Sequence, residues 1–237
     1  MFPIHDDNPI EIVPVVTYAL IATCVLVFLW QFTQTPTAQQ DIVFSLGVIP
    51  AVLFGDASLP PEYMWVPATA TVFSSMFLHG GWMHLISNML YLWVFGNNIE
   101  AAMGHIKYLL FYLLCGVAAV FAQALPDVAS EVPMIGASGA ISGVLGAYIL
   151  LYPQARVLVV IPIFFIIQTV RIPALFVLGI WFAMQLVNTF MSAGADGGVA
   201  FGAHIGGFLA GMLFVSLFKR AGISLNIPFV HFHPFRR

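Results

Sequence analysis

Three short groups of polar residues lie inside strongly apolar stretches of this sequence. In the first group, His84 and Asn88 are four positions apart, which places an imidazole and a carboxamide on one face of a helix. The second group holds Ser138 among glycines, and the third holds His204 among glycines. A serine hydroxyl and a neutral imidazole form a nucleophile and its general base when they lie within hydrogen-bond distance. These residues therefore favour hydrolysis by a Ser138–His204 pair, while a helix–helix hydrogen bond is the alternative for a single buried histidine.

The sequence lacks the residues for the other hydrolytic chemistries that operate inside membranes. It has no His-Glu-x-x-His pattern, which supplies the ligand pair of a zinc protease. No Asp lies within the apolar stretches, and their one Lys, Lys107, stands at the very start of the third, so a two-aspartate site and a Ser–Lys pair are also excluded. The Ser–His pair is the hydrolytic combination that remains.

The composition is that of an integral membrane protein. Of the 237 residues, 61% are hydrophobic and 7% are charged, whereas about a quarter of an average soluble domain is charged. Seven Lys and Arg residues against ten Asp and Glu residues leave no basic surface for nucleic acid. Both cysteines, Cys24 and Cys115, lie in apolar runs, which argues against a disulfide scaffold. The length favours one domain that crosses the bilayer several times.

The apolar stretches predict six transmembrane helices, each close to the length of about 20 residues that a bilayer requires. They comprise residues 14–32, 83–102, 106–125, 135–151, 174–191 and 200–218. A further apolar run at 157–168 is short, holds Pro162 and is flanked by Arg156 and Arg171. We expect that run to form a hairpin or an interfacial segment instead of a seventh crossing.

The distribution of charge predicts the orientation. With six spans, every basic residue falls on one side of the membrane: Lys107, Arg156, Arg171, Lys219, Arg220, Arg236 and Arg237. Because Lys and Arg collect on the cytoplasmic side, both termini are predicted to be cytoplasmic. The chain then divides into an N-terminal tail (1–13), a membrane domain (14–218) and a basic C-terminal tail (219–237). No basic region precedes the first span, which is therefore expected to remain as a helix. The long first outer loop is apolar enough to form short interfacial helices.

Glycine spacing predicts which spans pack together. Glycines four positions apart occur in spans four and six, as Gly139/Gly143 and Gly207/Gly211. Such spacing lets two helix backbones approach closely. If the helices touch there, Ser138 and His204 can come within hydrogen-bond distance. Hydrolysis by this pair would require Ser138 Oγ to lie about 3 Å from His204, or somewhat further away without substrate. All three polar groups fall in the outer half of the membrane, where water can enter above the short fourth span.

With these residues in view, the sequence resembles the rhomboid family of intramembrane serine proteases over residues 14–218. The motifs occur in the order of the family: His84-x-x-x-Asn88, Gly136-Ala-Ser138-Gly139 and Ala203-His204-Ile-Gly206-Gly207. The resemblance implies an all-α membrane protein with a six-transmembrane-helix bundle. Its short fourth helix is expected at the centre, and its long first outer loop is expected to be partly embedded in the membrane.

The resemblance also implies roles for individual residues. Ser138 would attack a peptide bond in or near a transmembrane segment, with His204 as general base and then acid. His84, Asn88 and the backbone N–H of Ser138 would form the oxyanion hole, and Gly136 would let the substrate backbone approach. No third acidic residue, metal ion or other cofactor is implied.

Further implications concern the surroundings of the site. A lateral opening near span five, with the loop 192–199 as a lid, would admit the substrate. Ser142 replaces the aromatic residue that stacks on the histidine in some members, and Trp65 is followed by Val66 instead of Arg. Glu100 is expected to be structural, as a hydrogen-bond acceptor for backbone groups of another helix.

Two other functions remain open at this point. One is a non-catalytic relative that binds transmembrane clients in membrane protein quality control, although such relatives usually lack the serine or histidine. The other is a small channel or transporter, although polar groups near one face of the membrane describe a one-sided cavity better than a pathway. The expected partners are transmembrane protein substrates and the lipid bilayer in a plasma (inner) membrane. The sequence leaves the oligomeric state and the identity of the substrate open.

Overall fold

The computed structural model describes residues 2–10, 12–163, 166–191 and 200–226, and this part of the chain is mostly helical. Its helices are α1 (Val15–Phe32), α2 (Pro36–Leu46), α3 (Pro50–Phe54), α4 (Ala68–Ser74), α5 (Trp82–Tyr91), α6 (Asn97–Met103), α7 (His105–Ala124), α8 (Ser138–Leu151), α9 (Ala174–Met191) and α10 (Phe201–Phe218). Its strands are β1 (Phe2–Asp6), β2 (Arg156–Ile163) and β3 (Ile166–Pro173).

Helices α1 and α5 to α10 fall on the apolar stretches that the sequence defines. By length and composition, α1, α7 and α10 are long and apolar enough to cross a membrane, whereas α8 and the described part of α9 are shorter apolar helices. The second stretch is divided into α5, a π-helical turn at Leu92–Gly96 and α6. The number of membrane crossings stays a prediction.

The shortest of the apolar helices, α8, lies in the middle of the core. It packs against α7 and α10, and nearly all of its residues from Gly139 to Leu151 are buried. An apolar helix without a polar face is the kind that fits such a position. On α10, Gly207 lies against the carbonyl of Gly139 and Gly211 against that of Gly143, so a side chain at either glycine would collide with the α8 backbone. The close contact expected from the glycine spacing is therefore present.

The short apolar run at 157–168 lies in an antiparallel hairpin, one of the two forms expected for it. Strand β2 pairs with β3 from Arg156 opposite Pro173 to Ile163 opposite Ile166. Strand β1 pairs with the other edge of β2 and completes a sheet in the order β1-β2-β3. The expected all-α class is therefore wrong in this part, since a hairpin and an N-terminal segment that was predicted only as a tail pair into a sheet.

Hydrogen bonds attach the N-terminal strand to the helical core. The buried carboxylate of Asp6 accepts hydrogen bonds from the Tyr148 hydroxyl and, at 2.7 Å, from Asn98 Nδ2. Tyr148 is ten residues beyond Ser138 on α8, which is about 15 Å along the helix axis. The strand is therefore held at the end of α8 that is far from the serine.

Glu100 joins two helices, as expected. Its carboxylate is fully buried and accepts hydrogen bonds from the backbone N–H groups of Val16 (2.9 Å) and Thr17 (2.7 Å). These are orphan donors in the first turn of α1, whose N-cap residue, Pro14, makes no side-chain capping bond. Glu100 Oε1 also lies 2.6 Å from His105 Nδ1. The α6 carboxylate thus caps α1.

The long segment between the first two apolar stretches forms short helices, α2, α3 and α4. It buries Ile42 of α2, and its Val48 packs in a small cluster with Val72 of α4 and Val120 of α7. Trp65, by contrast, is half-exposed, and its indole N–H donates to the Glu62 carbonyl at 2.9 Å. Two predicted features lie outside the described residues: the loop 192–199 and the tail beyond residue 226.

Candidate active site

Ser138 is the first residue of α8 and follows a tight turn. Gly136 has φ = 125°, a backbone conformation that residues with a Cβ rarely adopt, and its N–H donates to the Ser75 carbonyl at 2.9 Å. The N–H groups of a first helical turn have no intrahelical acceptor, so those at Ser138 and Gly139 are available to an anionic atom. Ser138 is partly exposed, while the helix that follows it is buried.

His84 lies directly against this turn. A methyl group at Gly136 would be 2.7 Å from His84 Nε2 and 3.6 Å from Ser138 Oγ, so the missing side chain makes room for the imidazole beside the serine. His84 Nδ1 accepts a hydrogen bond from the Gly80 N–H at 3.3 Å. Because Nδ1 is an acceptor, the neutral ring carries its proton on Nε2. His84 therefore presents an N–H donor towards Gly136 and Ser138.

Asn88 is one helical turn beyond His84 on α5, and its side chain is buried. Its Nδ2 group has no hydrogen-bond partner among the described residues. Buried donors are almost always paired in folded proteins, so an unpaired one needs an explanation. One explanation is that the amide donates its hydrogen bond to an atom of a bound substrate.

His204, on α10, is oriented by a residue of α9. Its Nδ1 lies 2.8 Å from Oε1 of Gln185, a buried side chain near the middle of α9. The other end of the same amide, Nε2, donates to the Trp181 carbonyl at 3.2 Å. Since the amide oxygen can only accept, His204 Nδ1 carries the proton and Nε2 keeps its lone pair. This is the tautomer that a general base needs.

Two aromatic rings lie next to His204. The Trp181 ring centroid is 5.9 Å from that of His204 at an interplanar angle of 34°, and Phe201 approaches edge-on at 6.3 Å. Ser142, where some family members have the stacking aromatic residue, instead donates its hydroxyl to the Ser138 carbonyl at 2.6 Å. In this chain, Trp181 of α9 provides the aromatic contact.

The helices that carry Ser138 and His204 are in direct contact beside both residues. A methyl group at Gly139 would be 3.9 Å from Ala203 Cβ. His84 contacts the serine turn from α5, whereas His204 belongs to α10, which packs against α8. The hydrogen bonds of the described residues do not include one between Ser138 Oγ and His204. Catalytic hydrogen bonds are often long before substrate binds and shorten in the complex.

A third histidine lies close to His84. The ring of His79 is 5.1 Å from that of His84, edge to face, and its Nδ1 lies 3.3 Å from the Phe77 carbonyl. Burial lowers the pKa of His79 to about 4. His79 is therefore neutral near pH 7 and adds no positive charge beside His84.

Gln185 and Trp181 were not among the residues predicted from the sequence. A signal for Gln185 exists, because a glutamine inside an apolar helix is costly and needs a partner. That signal does not identify the partner, which lies on another helix 19 residues away. Trp181 carries no comparable signal, since aromatic residues are common throughout this chain.

Comparison with known proteins gives a consistent assignment. The family model described as Rhomboid domain matches residues 67–221. The chain is 29% identical over 201 residues to rhomboid protein 1, mitochondrial, of Saccharomyces cerevisiae, covering 77% of this chain and 55% of that protein. It is 29% identical over 204 residues to the human presenilin-associated rhomboid-like protein, mitochondrial, covering 83% of this chain and 46% of that protein. It is 31% identical over 134 residues to rhomboid protease GluP of Bacillus subtilis, covering 56% of this chain and 24% of that protein.

The matched regions span about half or less of the length of these relatives. The family model, by contrast, covers well over half of this chain and includes all of the residues that form the candidate site. The chain belongs to the rhomboid family of membrane proteins.

Proposed function

We propose that this protein is an intramembrane serine endopeptidase that hydrolyses peptide bonds in or near transmembrane segments of membrane proteins. Ser138 is the nucleophile and His204 the general base. His84, Asn88 and the Ser138 N–H are the oxyanion donors. The proposed substrates are other membrane proteins, and no metal ion or cofactor takes part in the mechanism.

The observation that supports this proposal best is the difference between the hydrogen-bond partners of the two histidines, from which opposite tautomers follow. Gly80 makes Nδ1 of His84 an acceptor, so this ring offers a proton from Nε2. Gln185 makes Nδ1 of His204 a donor, so that ring offers a lone pair on Nε2. Serine hydrolysis needs one group of each kind, a base for the hydroxyl proton and a donor for the oxyanion. A protein that only binds clients gains nothing from this difference.

The proposed reaction follows from these groups. Ser138 Oγ attacks the carbonyl carbon, its proton passes to His204 Nε2, and the carbonyl oxygen becomes an oxyanion that accepts the N–H donors. The imidazolium then gives its proton to the leaving nitrogen as the C–N bond breaks, which leaves an ester on Ser138. Water attacks the ester and its proton passes to His204. As the second tetrahedral intermediate collapses, the C–Oγ bond breaks and His204 returns the proton to Oγ, which releases the new carboxyl terminus and regenerates Ser138 and the neutral imidazole.

We also propose the six-span bundle with both termini in the cytoplasm. The helices on the six apolar stretches and the one-sided distribution of basic residues support it. The relatives include proteins named as mitochondrial and one from a bacterium, so the plasma (inner) membrane stays a prediction.

The test uses purified protein in liposomes with a single-span model substrate and EDTA. The parent chain is compared with Ser138→Ala and His204→Ala, and we expect both substitutions to abolish cleavage. Two matched controls are Ser216→Ala, at an exposed serine of α10, and His5→Ala, at an exposed histidine of β1. These controls should cleave like the parent.

A fluorophosphonate probe provides a second readout that does not depend on the choice of substrate. Labelling of Ser138 in the parent, absent in Ser138→Ala, supports the enzyme. Cleavage that survives Ser138→Ala would remove Ser138 as the nucleophile. A parent chain that neither cleaves nor takes up the probe would favour a non-catalytic binder of transmembrane clients.

A further inference from the structure

Gln185 is a polar side chain in a position where polarity is costly. It lies in the middle of the apolar helix α9 and is 7% exposed. A buried amide without hydrogen bonds would destabilise the helix bundle, and an apolar residue of the same length would pack there without that cost. Both ends of this amide are occupied, one by a backbone carbonyl of its own helix and the other by His204.

The direction of the amide follows from its partners. The carbonyl of Trp181, four residues earlier on α9, can only accept, so the amide nitrogen must face it. The amide oxygen therefore faces His204, and that oxygen can only accept a proton from Nδ1. A water molecule in the same place could either donate or accept, and would allow both tautomers of the imidazole. Gln185 allows one.

The ring is also held in position from the same helix. Trp181 and Gln185 are one turn apart and lie on one face of α9. Trp181 contacts the ring of His204, and Gln185 binds its Nδ1 edge. One turn further along, the Thr189 hydroxyl donates to the backbone carbonyl of Gln185 at 2.9 Å, within the same helix. Helix α9 thus orients an imidazole that belongs to α10.

We propose that Gln185 is a positioning residue that keeps His204 in the Nδ1–H tautomer with Nε2 free to accept the Ser138 proton. This inference rests on the proposed function and deepens it. In Ser-His-Asp enzymes a buried aspartate holds the histidine in this tautomer. Here a neutral amide does so, held by the Trp181 backbone carbonyl of the same helix, and no carboxylate has to be buried in the apolar core.

The test compares Gln185→Met, Gln185→Glu and the control Gln40→Met. Methionine matches the length of glutamine but cannot bind Nδ1, whereas glutamate keeps an acceptor oxygen. Gln40 is an exposed glutamine of α2, so its replacement should leave the rate unchanged. The rate of Ser138 labelling by a fluorophosphonate and the kcat and KM for a single-span substrate are measured from pH 5 to pH 9.

We expect Gln185→Met to lower the labelling rate and kcat roughly 10- to 100-fold, with little change in KM, because a positioning contact acts on the imidazole and not on substrate binding. Gln185→Glu should recover much of that loss. Its carboxylate favours the protonated imidazole, so the acidic limb of its pH–rate profile should move to higher pH. A purely structural role would not move that limb.

Nitrogen-15 NMR of histidine-labelled protein reports the tautomer without any reaction, with the His204 signal assigned by its loss in His204→Ala. The parent should show Nδ1–H, and Gln185→Met should lose this preference. Equal labelling rates and pH profiles in the parent and Gln185→Met, or an unchanged tautomer, would overturn the proposal. If Gln185→Met does not fold, an unmoved acidic limb in Gln185→Glu overturns it instead. A parent that takes up no probe contradicts the proposed function, while the NMR result still decides the role of Gln185.

Discussion

The substitution Gly136→Ala isolates the contact between the serine turn and His84. The added methyl group would lie 2.7 Å from Nε2 and 2.8 Å from Cε1 of the imidazole. Ordinary contacts between such atoms are about 3.5–4.0 Å, so the ring has to move by roughly 1 Å. The Nε2–H group of His84, which we assign to the oxyanion hole, would then point away from the position of the oxyanion.

The expected loss follows from this displacement. A misplacement of about 1 Å can cost about 10²-fold in rate, and removal of one oxyanion donor costs about 10²–10³-fold, or about 2.7–4 kcal/mol. We therefore expect kcat to fall by about two orders of magnitude. The positive φ of 125° adds backbone strain, which should lower the free energy of unfolding by about 1–3 kcal/mol.

A matched control separates these two effects. Gly55 also has a positive φ, 87°, but a methyl group there would meet no atom within 4 Å. Gly55→Ala should therefore lower the thermal stability of the protein and leave its kcat unchanged. The assay is cleavage of a single-span substrate in liposomes. The melting temperature of every variant is measured separately, with all variants in one detergent.

A double-mutant cycle with His84→Ala tests the mechanism itself. Once the imidazole is absent, the methyl group at Gly136 has nothing to displace, so the second substitution should add little to the loss of rate. Losses that add in full would refute the reasoning, since Gly136 would then act independently of His84. Parent-like activity of Gly136→Ala would also refute it.

Three further predictions follow from the same structure. Asn88→Ala should lower kcat about 10²–10³-fold while thermal unfolding shows little loss of stability, because its Nδ2 has no partner to lose among the described residues; a large drop in melting temperature would mean that the amide is structural. Glu100→Ala should lower the free energy of unfolding by about 2–6 kcal/mol because it leaves the first turn of α1 uncapped, whereas Glu62→Ala, at an exposed residue, should have no effect in the same denaturation assay. Cysteines introduced at positions 56 and 220 should react with a membrane-impermeant thiol reagent from opposite sides of the membrane, with position 220 cytoplasmic. The natural cysteines, Cys24 and Cys115, are buried and should give little background labelling. Labelling of both positions from one side would contradict the six-span arrangement.

Much of the candidate site could be predicted from the sequence. The types and spacing of Ser138, His204, His84 and Asn88 indicate their chemistry, because polar residues in apolar stretches are rare and costly. Glycine spacing similarly predicts the contact between α8 and α10. The N-terminal strand could not be predicted, because five residues that pair with a distant hairpin have no periodicity of their own. The cap on α1 was equally unpredictable in detail, since Glu100 and Val16 are 84 residues apart.

The sequence by itself determined the family, the apolar helices and the residues able to do chemistry, since these depend on composition, run length and local spacing. Only the tertiary structure decided which nitrogen of each histidine carries the proton. That choice depends on the hydrogen-bond partner of Nδ1, which is the Gly80 N–H in His84 and the side-chain oxygen Oε1 of Gln185 in His204. The structure also decided why position 136 is glycine, because the imidazole of His84 occupies the space that a side chain there would need.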